Sequence, residues 1–220
     1  RSTKESFDQY ATEIGMPIPA GIVNHIPSTI LKKSVSSPPL RSPYFVMVGT
    51  IEGRKNHSLI LGVWQTLLKR HGENCPRLVI IGQRGWKCEA VFALLDKSNR
   101  LNNSVIEINN CSDDDLAKWL SFAQALLFPS FAEGYGIPLI ESMNLGTPVI
   151  ASNLSVFHEI ADDLPLYLNP SAPHEWEQAI EDYCNSFHAD RQRQIQILKG
   201  YQPISWEAHF DKIDASILNL

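Results

Sequence analysis

The apolar positions of the chain fall into short continuous runs, and these runs are separated by longer segments in which apolar residues recur at helical spacing. Short runs bounded by turn residues are typical of buried strands, and the longer periodic segments are typical of helices that cover a sheet. Strands are predicted near residues 21–25, 44–49, 77–82, 104–108, 125–128, 148–151 and 165–168. Helices are predicted near residues 3–13, 56–71, 87–97, 112–122, 137–145, 155–161, 173–187, 190–199 and 205–218. Because the two kinds of segment alternate, the pattern predicts an α/β fold with parallel strands joined by helical crossovers.

Local signals mark several boundaries of these elements. Ser2 with Glu5, and Ser112 with Asp115, have the spacing of capping boxes, in which two side chains satisfy free backbone N–H groups at a helix start. Residues 27–43 contain prolines among serines and are predicted to be a linker.

The composition is that of a soluble globular protein. The 220 residues are 44% hydrophobic and 20% charged, which is enough for one core that buries about 70% of the unfolded surface. The net charge of -5 gives no general attraction to nucleic acid, so we expect no nucleic-acid partner.

The cysteines and the hydropathy pattern bear on location. The four cysteines form no C-x-x-C pair, which argues against a zinc site or a disulfide scaffold and favours a reducing cytoplasm. No run approaches the roughly 20 apolar residues that would span a bilayer, and attachment at the inner face of a membrane stays open. The first residue is not Met, so we expect a piece of a longer protein.

A glycine-rich turn between two carboxylates is the most informative segment. It runs from a predicted strand into a predicted helix as Glu133-Gly134-Tyr135-Gly136-Ile137-Pro138-Leu139-Ile140-Glu141. Glycines let a ligand approach the backbone, and free N–H groups at a helix start favour a bound phosphate. Glu133 is predicted in the loop and Glu141 in the first helical turn. Taken alone, Glu141 is equally well explained as a carboxylate that stabilises the helix dipole by roughly 0.3 to 1 kcal/mol.

A second turn, from Gly49 to Lys55, follows the predicted strand 44–49 and precedes a helix that Asn56 is predicted to cap. Arg54 can bind phosphate oxygens through two N–H groups and Lys55 supplies a compact charge, and both are expected in an exposed loop. Solvated loop cations are the alternative interpretation. No Ser or Thr follows Lys55, so the turn is not a P-loop, and the chain has no G-x-G-x-x-G dinucleotide motif.

Together these segments resemble the nucleotide-sugar-binding half of retaining GT-B glycosyltransferases of family 4. The blocks that carry the resemblance are residues 48–56, 78–86, 128–130, 133–141, 146–152, 158–160, 169–170 and 205–207. The resemblance implies a Rossmann-like parallel sheet with helices on both faces, which forms one half of a GT-B fold. It divides the chain into residues 1–43 as the tail of a missing amino-terminal domain and the linker, residues 44–200 as the donor domain, and residues 201–220 as a crossover helix.

The resemblance also implies roles for single residues. Arg54 and Lys55 would stabilise the leaving phosphate, Glu133 would contact the donor sugar near its reacting centre, and Glu141 would accept hydrogen bonds from the ribose hydroxyls. The donor would further contact Gly49, Thr50, Arg84, Asn109, Gly134, Tyr135, Gly136 and Ile137. Arg84 or Trp86 would stack on or clamp the base, although Trp86 is equally well explained by packing. Many members of the family have Arg where this chain has Thr50.

These roles imply a hexosyltransferase that takes its sugar from a GDP- or UDP-linked donor, without a separate cofactor. The acceptor, a saccharide or lipid-linked saccharide, would be held by the missing domain. Residues 49–56 are similar to those of mannosyltransferases of surface-polysaccharide assembly, which suggests GDP-mannose. No acidic D-x-D pair stands at a metal position, and metal-independent chemistry is expected. Two alternatives stay open: a nucleotide-sugar-binding module without transfer activity, and another GT-B enzyme such as an epimerase or phosphorylase.

Overall fold

The structure, a computed structural model, describes residues 1–28, 31–33, 36–97, 101 and 104–218. Its strands are β1 (Tyr44–Val48), β2 (Arg77–Ile81), β3 (Val105–Ile108), β4 (Leu126–Phe128), β5 (Val149–Ser152) and β6 (Leu166–Leu168). Its helices are α1 (Ser2–Glu13), α2 (His57–His71), α3 (Glu89–Lys97), α4 (Asp113–Ser121), α5 (Ile137–Asn144), α6 (Ser155–Ala161), α7 (Pro173–Cys184), α8 (Ala189–Leu198) and α9 (Trp206–Ile217). The predicted α/β fold with a Rossmann-like parallel sheet is confirmed.

The strand order of the sheet is β3-β2-β1-β4-β5-β6, and every neighbouring pair is parallel. The chain builds outward from β1 to β3 and then returns to the other side of β1 with β4, where Val46 pairs with Leu126. The loops that leave β1 and β4 therefore turn to opposite faces of the sheet and leave a crevice between them. In open α/β sheets a ligand binds at this reversal, outside the carboxyl ends of the strands.

Both faces of the sheet are buried, as expected for parallel strands covered by helices. Along β1, Phe45 and Met47 face a core that includes Trp64 of α2 and Trp176 of α7. The alternating positions of the same strand face a second core formed with α4, α5, α6 and α8. Because successive side chains of a strand point to opposite faces, the continuous apolar runs of the sequence supply both cores at once.

The predicted strand at residues 21–25 is wrong. The structure has no regular element there, and the segment is held by individual polar contacts instead. The Asn24 side chain donates to the carbonyl of His209 over 2.9 Å, and the carbonyl of His25 lies 2.8 Å from Nδ1 of the His209 ring. An apolar run becomes a strand only where a neighbouring edge can pair with it. The division of the chain into three parts stays a prediction.

Of the two predicted capping boxes, the one at Ser112 is confirmed in its N-cap bond to the Asp115 N–H, and the one at Ser2 is wrong. At α4 the Ser112 hydroxyl accepts a hydrogen bond from the Asp115 N–H over 3.2 Å and donates to the Asp115 carboxylate over 2.7 Å. Ser2, by contrast, already lies inside α1, and its N–H and hydroxyl both donate to Glu159 of α6. A tertiary contact has therefore replaced the local one. Within the described residues, no helix is long and apolar enough to cross a membrane.

Candidate functional site

Two loops meet at the crevice between β1 and β4. The first, residues 49–55, follows β1 and is called the cation loop here; the second, residues 129–136, follows β4 and is called the glutamate loop. A backbone hydrogen bond of 2.8 Å from the N–H of Phe131 to the carbonyl of Arg54 joins them directly. The sheet topology therefore brings together the two segments that the sequence marked as carrying chemistry.

The cation loop rests on the turn that follows β2. The N–H of Ile51 donates to the carbonyl of Gln83 over 2.9 Å, and the backbone of Gly82 lies so close to Gly49 that a Cβ at residue 82 would stand 2.1 Å from the Gly49 oxygen. Gly49 itself has φ +128°, a conformation that residues with a side chain rarely adopt. Glycines at both positions thus allow the two strand ends to touch.

The Glu133 carboxylate is the centre of the cluster in the crevice. Its Oε1 lies 2.7 Å from Lys55 Nζ and accepts a hydrogen bond of 2.7 Å from the Ser130 hydroxyl. Its Oε2 accepts one of 2.7 Å from Arg54. Arg54 also pairs with Glu52 over 2.7 Å. Burial alone would lower the pKa of Arg54, but the Glu133 and Glu52 carboxylates outweigh it and raise that pKa.

The two cations are not equivalent, which corrects the expectation that both stand in an exposed loop. Arg54 keeps 45% of its side chain exposed, whereas Lys55 keeps only 9% of its side chain exposed and its ammonium lies 4.7 Å above the ring centre of Phe128. The short turn Gly53–Lys55 directs the lysine inward, into the space beside β4. Lys55 is therefore a fixed charge, and Arg54 is the cation that can move.

Asn56 occupies the N-cap position of α2, but the prediction that it caps the helix is wrong. Its backbone is left-handed, with φ 55°, and its side chain makes no capping hydrogen bond. The buried amide instead donates to the carbonyls of Pro129 and Pro170 over 3.1 and 2.9 Å. One side chain thus ties the cation loop to the glutamate loop and to the connection between β6 and α7.

Glu141 lies deeper than predicted. It is the fifth residue of α5, so it stands beyond the first turn, and it is 8% exposed. Burial, with a smaller contribution from Asp113, raises the pKa of Glu141 to about 7. A buried carboxyl with such a pKa does not serve the helix dipole as an exposed one would, which weakens the purely structural explanation of this residue.

The glycine-rich turn shapes the entrance to α5. Gly136 stands at the N-cap with φ +115°, and a Cβ there would meet the ring of Phe157 at 3.1 Å. Ile137 begins the helix and Pro138 follows it, close to the predicted start. Gly134 and Tyr135 face a cavity of about 440 Å³ that is also lined by His25 and Glu159.

The side chains predicted near the base lie farther along the same edge. Arg84 follows β2, pairs with Asp96 over 2.6 Å and Glu107 over 2.8 Å, and lies 5.2 Å from the ring centre of Phe92. Trp86 is 72% exposed, so packing does not explain it. Asn109 follows β3, two strands from the reversal of strand order. A role for any of the three in base binding stays a prediction.

Two residues that hold the site together were not predicted as site residues, although both lie in blocks that carry the resemblance. Ser130 stands three positions before Glu133, a spacing that suits a side-chain contact within one turn of a loop. Asn56 gave a misleading signal because its place before a helix suggested a cap. Thr50 packs its methyl group toward Gly85 and so lies on the β2 side of the cation loop.

Residues 30–197 match the family described as glycosyl transferases group 1. The chain belongs to the glycosyl transferases group 1 family. The family assignment covers β1 to β6, the cation loop and the glutamate loop. It agrees with the resemblance at the level of a glycosyltransferase domain.

Curated relatives of this glycosyl transferases group 1 chain include mannosyltransferases. It is 36% identical over 142 residues to the serotype-specific mannosyltransferase WbdA of Escherichia coli, and the aligned region covers 64% of this chain and 17% of that protein. It is 29% identical over 167 residues to the O-antigen chain mannosyltransferase B of Escherichia coli, covering 74% and 42%, respectively. For the O-antigen chain mannosyltransferase RfbU of Salmonella typhimurium the identity is 33%, with coverage of 63% and 38%. The chain thus matches less than half the length of these relatives.

Solved structures agree on the fold. A sucrose-phosphate synthase from Thermosynechococcus elongatus superposes with a TM-score of 0.61 at 21% identity, over 81% of this chain and 45% of that one. TarM superposes with a TM-score of 0.60 at 17% identity, over 81% and 36%. At these identities the likeness shows the α/β fold of the group 1 chain and carries no statement about its substrate.

Proposed function

We propose that this chain is the donor-binding half of a retaining family 4 glycosyltransferase, a mannosyltransferase that uses GDP-mannose in surface-polysaccharide synthesis. The observation that carries the proposal is the contact of Lys55 and Arg54 with Glu133 at the reversal of strand order. Two cations and a carboxylate in one crevice suit a ligand that is anionic at one end and rich in hydroxyl groups at the other. The mannosyltransferase relatives support the choice of sugar.

In the proposed reaction the bond between C1 of the sugar and the diphosphate oxygen breaks, and the acceptor hydroxyl oxygen bonds to C1 on the same face. The hydroxyl proton passes to the leaving diphosphate. Negative charge grows on that diphosphate as the bond lengthens, so cations fixed beforehand stabilise the transition state more than the ground state. Lys55 is the fixed cation, and Arg54, half exposed, can adjust to a second phosphate oxygen.

Glu133 and Glu141 have separate places in this arrangement. Glu133 would accept a hydroxyl hydrogen bond from the sugar, and Glu141 would accept from the ribose. Binding of the ribose favours the ionised form of Glu141, because a carboxylate accepts two hydroxyl donors and a protonated carboxyl accepts fewer. The raised pKa of Glu141 then makes donor affinity depend on pH near 7.

The acceptor, a saccharide or lipid-linked saccharide, is proposed to bind outside these 220 residues. The chain matches 17% to 42% of the length of its mannosyltransferase relatives, so acceptor contacts have ample room elsewhere in such a protein. A cytoplasmic site of action, peripheral to the inner face of a membrane, follows if that acceptor is lipid-linked. For the 220-residue piece alone we propose donor binding without transfer.

Calorimetric titration of the chain with GDP, UDP and their hexose conjugates tests the proposal. We expect binding of GDP-mannose and GDP that is lost in the double variant Arg54→Ala, Lys55→Ala. The absence of a detectable heat of binding for every nucleotide would contradict the proposal. A preference for a UDP-sugar would change only the proposed donor.

A further inference from the structure

We infer that Ser130 is a positioning residue, whose hydroxyl holds the Glu133 carboxylate in place while the donor diphosphate engages Arg54 and Lys55. The inference rests on the proposed function. It gives a role to Ser130, which takes no part in the proposed contacts with the nucleotide. Its starting point is the hydrogen bond of 2.7 Å from the Ser130 hydroxyl to Oε1 of Glu133.

The hydroxyl is held on a rigid support. Ser130 is fully buried and follows Pro129, whose carbonyl accepts the Asn56 amide over 3.1 Å. The next residue, Phe131, donates its N–H to the carbonyl of Arg54. The backbone on both sides of Ser130 is therefore tied to the start of α2, and the direction of the hydroxyl is set by the fold.

The three donors to Glu133 respond differently to a diphosphate. Lys55 and Arg54 are cations, so a bound diphosphate competes with Glu133 for both of them. The Ser130 hydroxyl is neutral and buried, and it has no comparable attraction to the diphosphate. When the cations turn toward the phosphates, the serine is the donor that still fixes the carboxylate.

The remaining acceptor capacity of Glu133 fits this role. An ionised carboxylate offers about four lone-pair directions. Oε1 uses two of them, for Lys55 and Ser130, and Oε2 uses one, for Arg54. A sugar hydroxyl can therefore be accepted at Oε2 without displacement of Ser130, in a geometry that Ser130 helps to define.

A second buried serine provides a matched comparison. Ser104 is 3% exposed and lies at the amino end of β3, whereas the crevice lies at the carboxyl ends of the strands. Its hydroxyl donates to the carbonyl of Leu101 over 3.2 Å. Ser104→Ala deletes the same atom from a buried site and leaves the crevice untouched. It reports what the loss of a buried serine hydroxyl does to the protein in general.

The test is a set of transfer assays on the full-length protein. For Ser130→Ala we expect kcat for transfer to fall about 10- to 100-fold, the effect of losing one hydrogen bond to a charged group, while KM for the donor and Kd for the free nucleoside diphosphate change less than about twofold. Ser104→Ala should leave kcat unchanged. If Ser130→Ala strongly lowers the unfolding temperature, Ser130→Cys takes its place in the same assays, because a thiol is similar in size to a hydroxyl but is only a weak hydrogen-bond donor.

A double-mutant cycle separates positioning from general damage. If Ser130 acts through Glu133, Ser130→Ala should reduce kcat in the wild-type background and cause little further loss in a Glu133→Gln background. Equal losses in both backgrounds, or an unchanged kcat in Ser130→Ala, would overturn the inference and leave the proposed function intact. A wild-type protein that binds no nucleotide sugar would instead overturn the proposed function.

Discussion

The ammonium of Lys55 and the carboxylate of Glu133 lie 2.7 Å apart across the crevice between β1 and β4, and both are largely buried. The residues come from different loops, so their contact exists only when the sheet is formed. A charge pair held in this way is preorganised for a ligand that develops charge during reaction. The cost of desolvating the pair is met by further contacts to Ser130 and Arg54.

The first prediction separates the two cations. In the full-length protein Arg54→Ala and Lys55→Ala should each lower kcat about 100- to 1000-fold, since each removes a stabiliser of the leaving group. Only Lys55→Ala should also lower the free energy of unfolding, on the order of 2 kcal/mol, because it leaves a buried carboxylate with fewer partners. Arg54→Ala also removes a partner of Glu133, but the Arg54 side chain is half exposed and water screens its ion pairs, so stability should change by less than about 0.5 kcal/mol. Steady-state kinetics and urea unfolding of the two variants check this prediction. Equal losses of stability would contradict the difference in burial between Lys55 and Arg54.

The second prediction concerns the amide of Asn56. Asn56→Asp replaces the NH2 group that donates both hydrogen bonds by a carboxylate oxygen, which would face the carbonyls of Pro129 and Pro170. We expect the free energy of unfolding to fall on the order of 3 kcal/mol, because buried acceptors are left unpaired beside a charge. Asn56→Gly is the control, since it keeps the left-handed backbone and adds no charge, and it should cost less. A change of less than about 0.5 kcal/mol in Asn56→Asp would show that the amide does not join the loops.

Much of the fold could be predicted because apolar runs and helical periodicity are local signals. The strands from residue 44 onward lie close to their predicted bounds, and their alternation with helices dictates a parallel sheet. The strand predicted at residues 21–25 is wrong because an apolar run is visible in the local sequence, whereas a neighbouring strand to pair with it depends on the rest of the fold.

Most members of the site were predictable, with Ser130 and Asn56 as exceptions, but their contacts were not. The glycines and charges of the sequence predict the cation loop and the glutamate loop. The burial of the Lys55 side chain and the exposure of the Arg54 side chain depend instead on a tight turn of three residues. Asn56 shows the same limit: its position before α2 is local, and the two carbonyls that it binds belong to distant segments. Burial of Glu141, which raises its pKa, is likewise set by the surrounding helices.

The third prediction tests the contact between the strand ends. Gly82→Ala would place a Cβ 2.1 Å from the Gly49 oxygen, a backbone collision that neither loop can relieve by rotating a side chain. We expect loss of nucleotide binding and a strongly lowered unfolding temperature. Gly62→Ala is the matched control, because nothing lies within 4 Å of a Cβ at this position of α2 and alanine favours a helix by about 0.5 to 1 kcal/mol. Nucleotide binding retained in Gly82→Ala would contradict the close packing.

The fourth prediction uses the pH dependence of stability. The pKa of Glu141 is raised from 4.5 to about 7 in the folded protein, so the folded state binds more protons than the unfolded state between these values. The contribution of Glu141 is therefore full below pH 4.5 and is lost as pH rises through 7, on the order of 3 kcal/mol in all. Glu141→Gln should remove this decline.

His57 acts in the opposite direction and must be separated from Glu141. Burial, with a smaller contribution from Lys55, lowers the pKa of His57 from 6.5 to about 4, so its contribution is present above 6.5 and is lost as pH falls toward 4. Urea unfolding of wild type and Glu141→Gln from pH 5 to 8 isolates Glu141, because His57 contributes equally to both. A difference between the two proteins that does not change with pH would contradict the raised pKa.

The fifth prediction gives the two carboxylates different roles. Glu141→Gln should weaken binding of the free nucleoside diphosphate through the ribose, and the loss should be greatest above pH 7, where the wild-type carboxyl is ionised. Glu133→Gln should reduce transfer without weakening free-nucleotide binding, because Glu133 is assigned to the sugar and a neutral glutamine competes less with the diphosphate for Arg54 and Lys55. Glutamine keeps the size of each side chain, so the contrast reports charge and acceptor capacity rather than packing. Titration of both variants with GDP and with its 2′-deoxyribose analogue decides the matter: the analogue should bind wild type more weakly and Glu141→Gln with little difference. Equal losses of GDP affinity in the two variants would mean that both carboxylates serve the nucleotide.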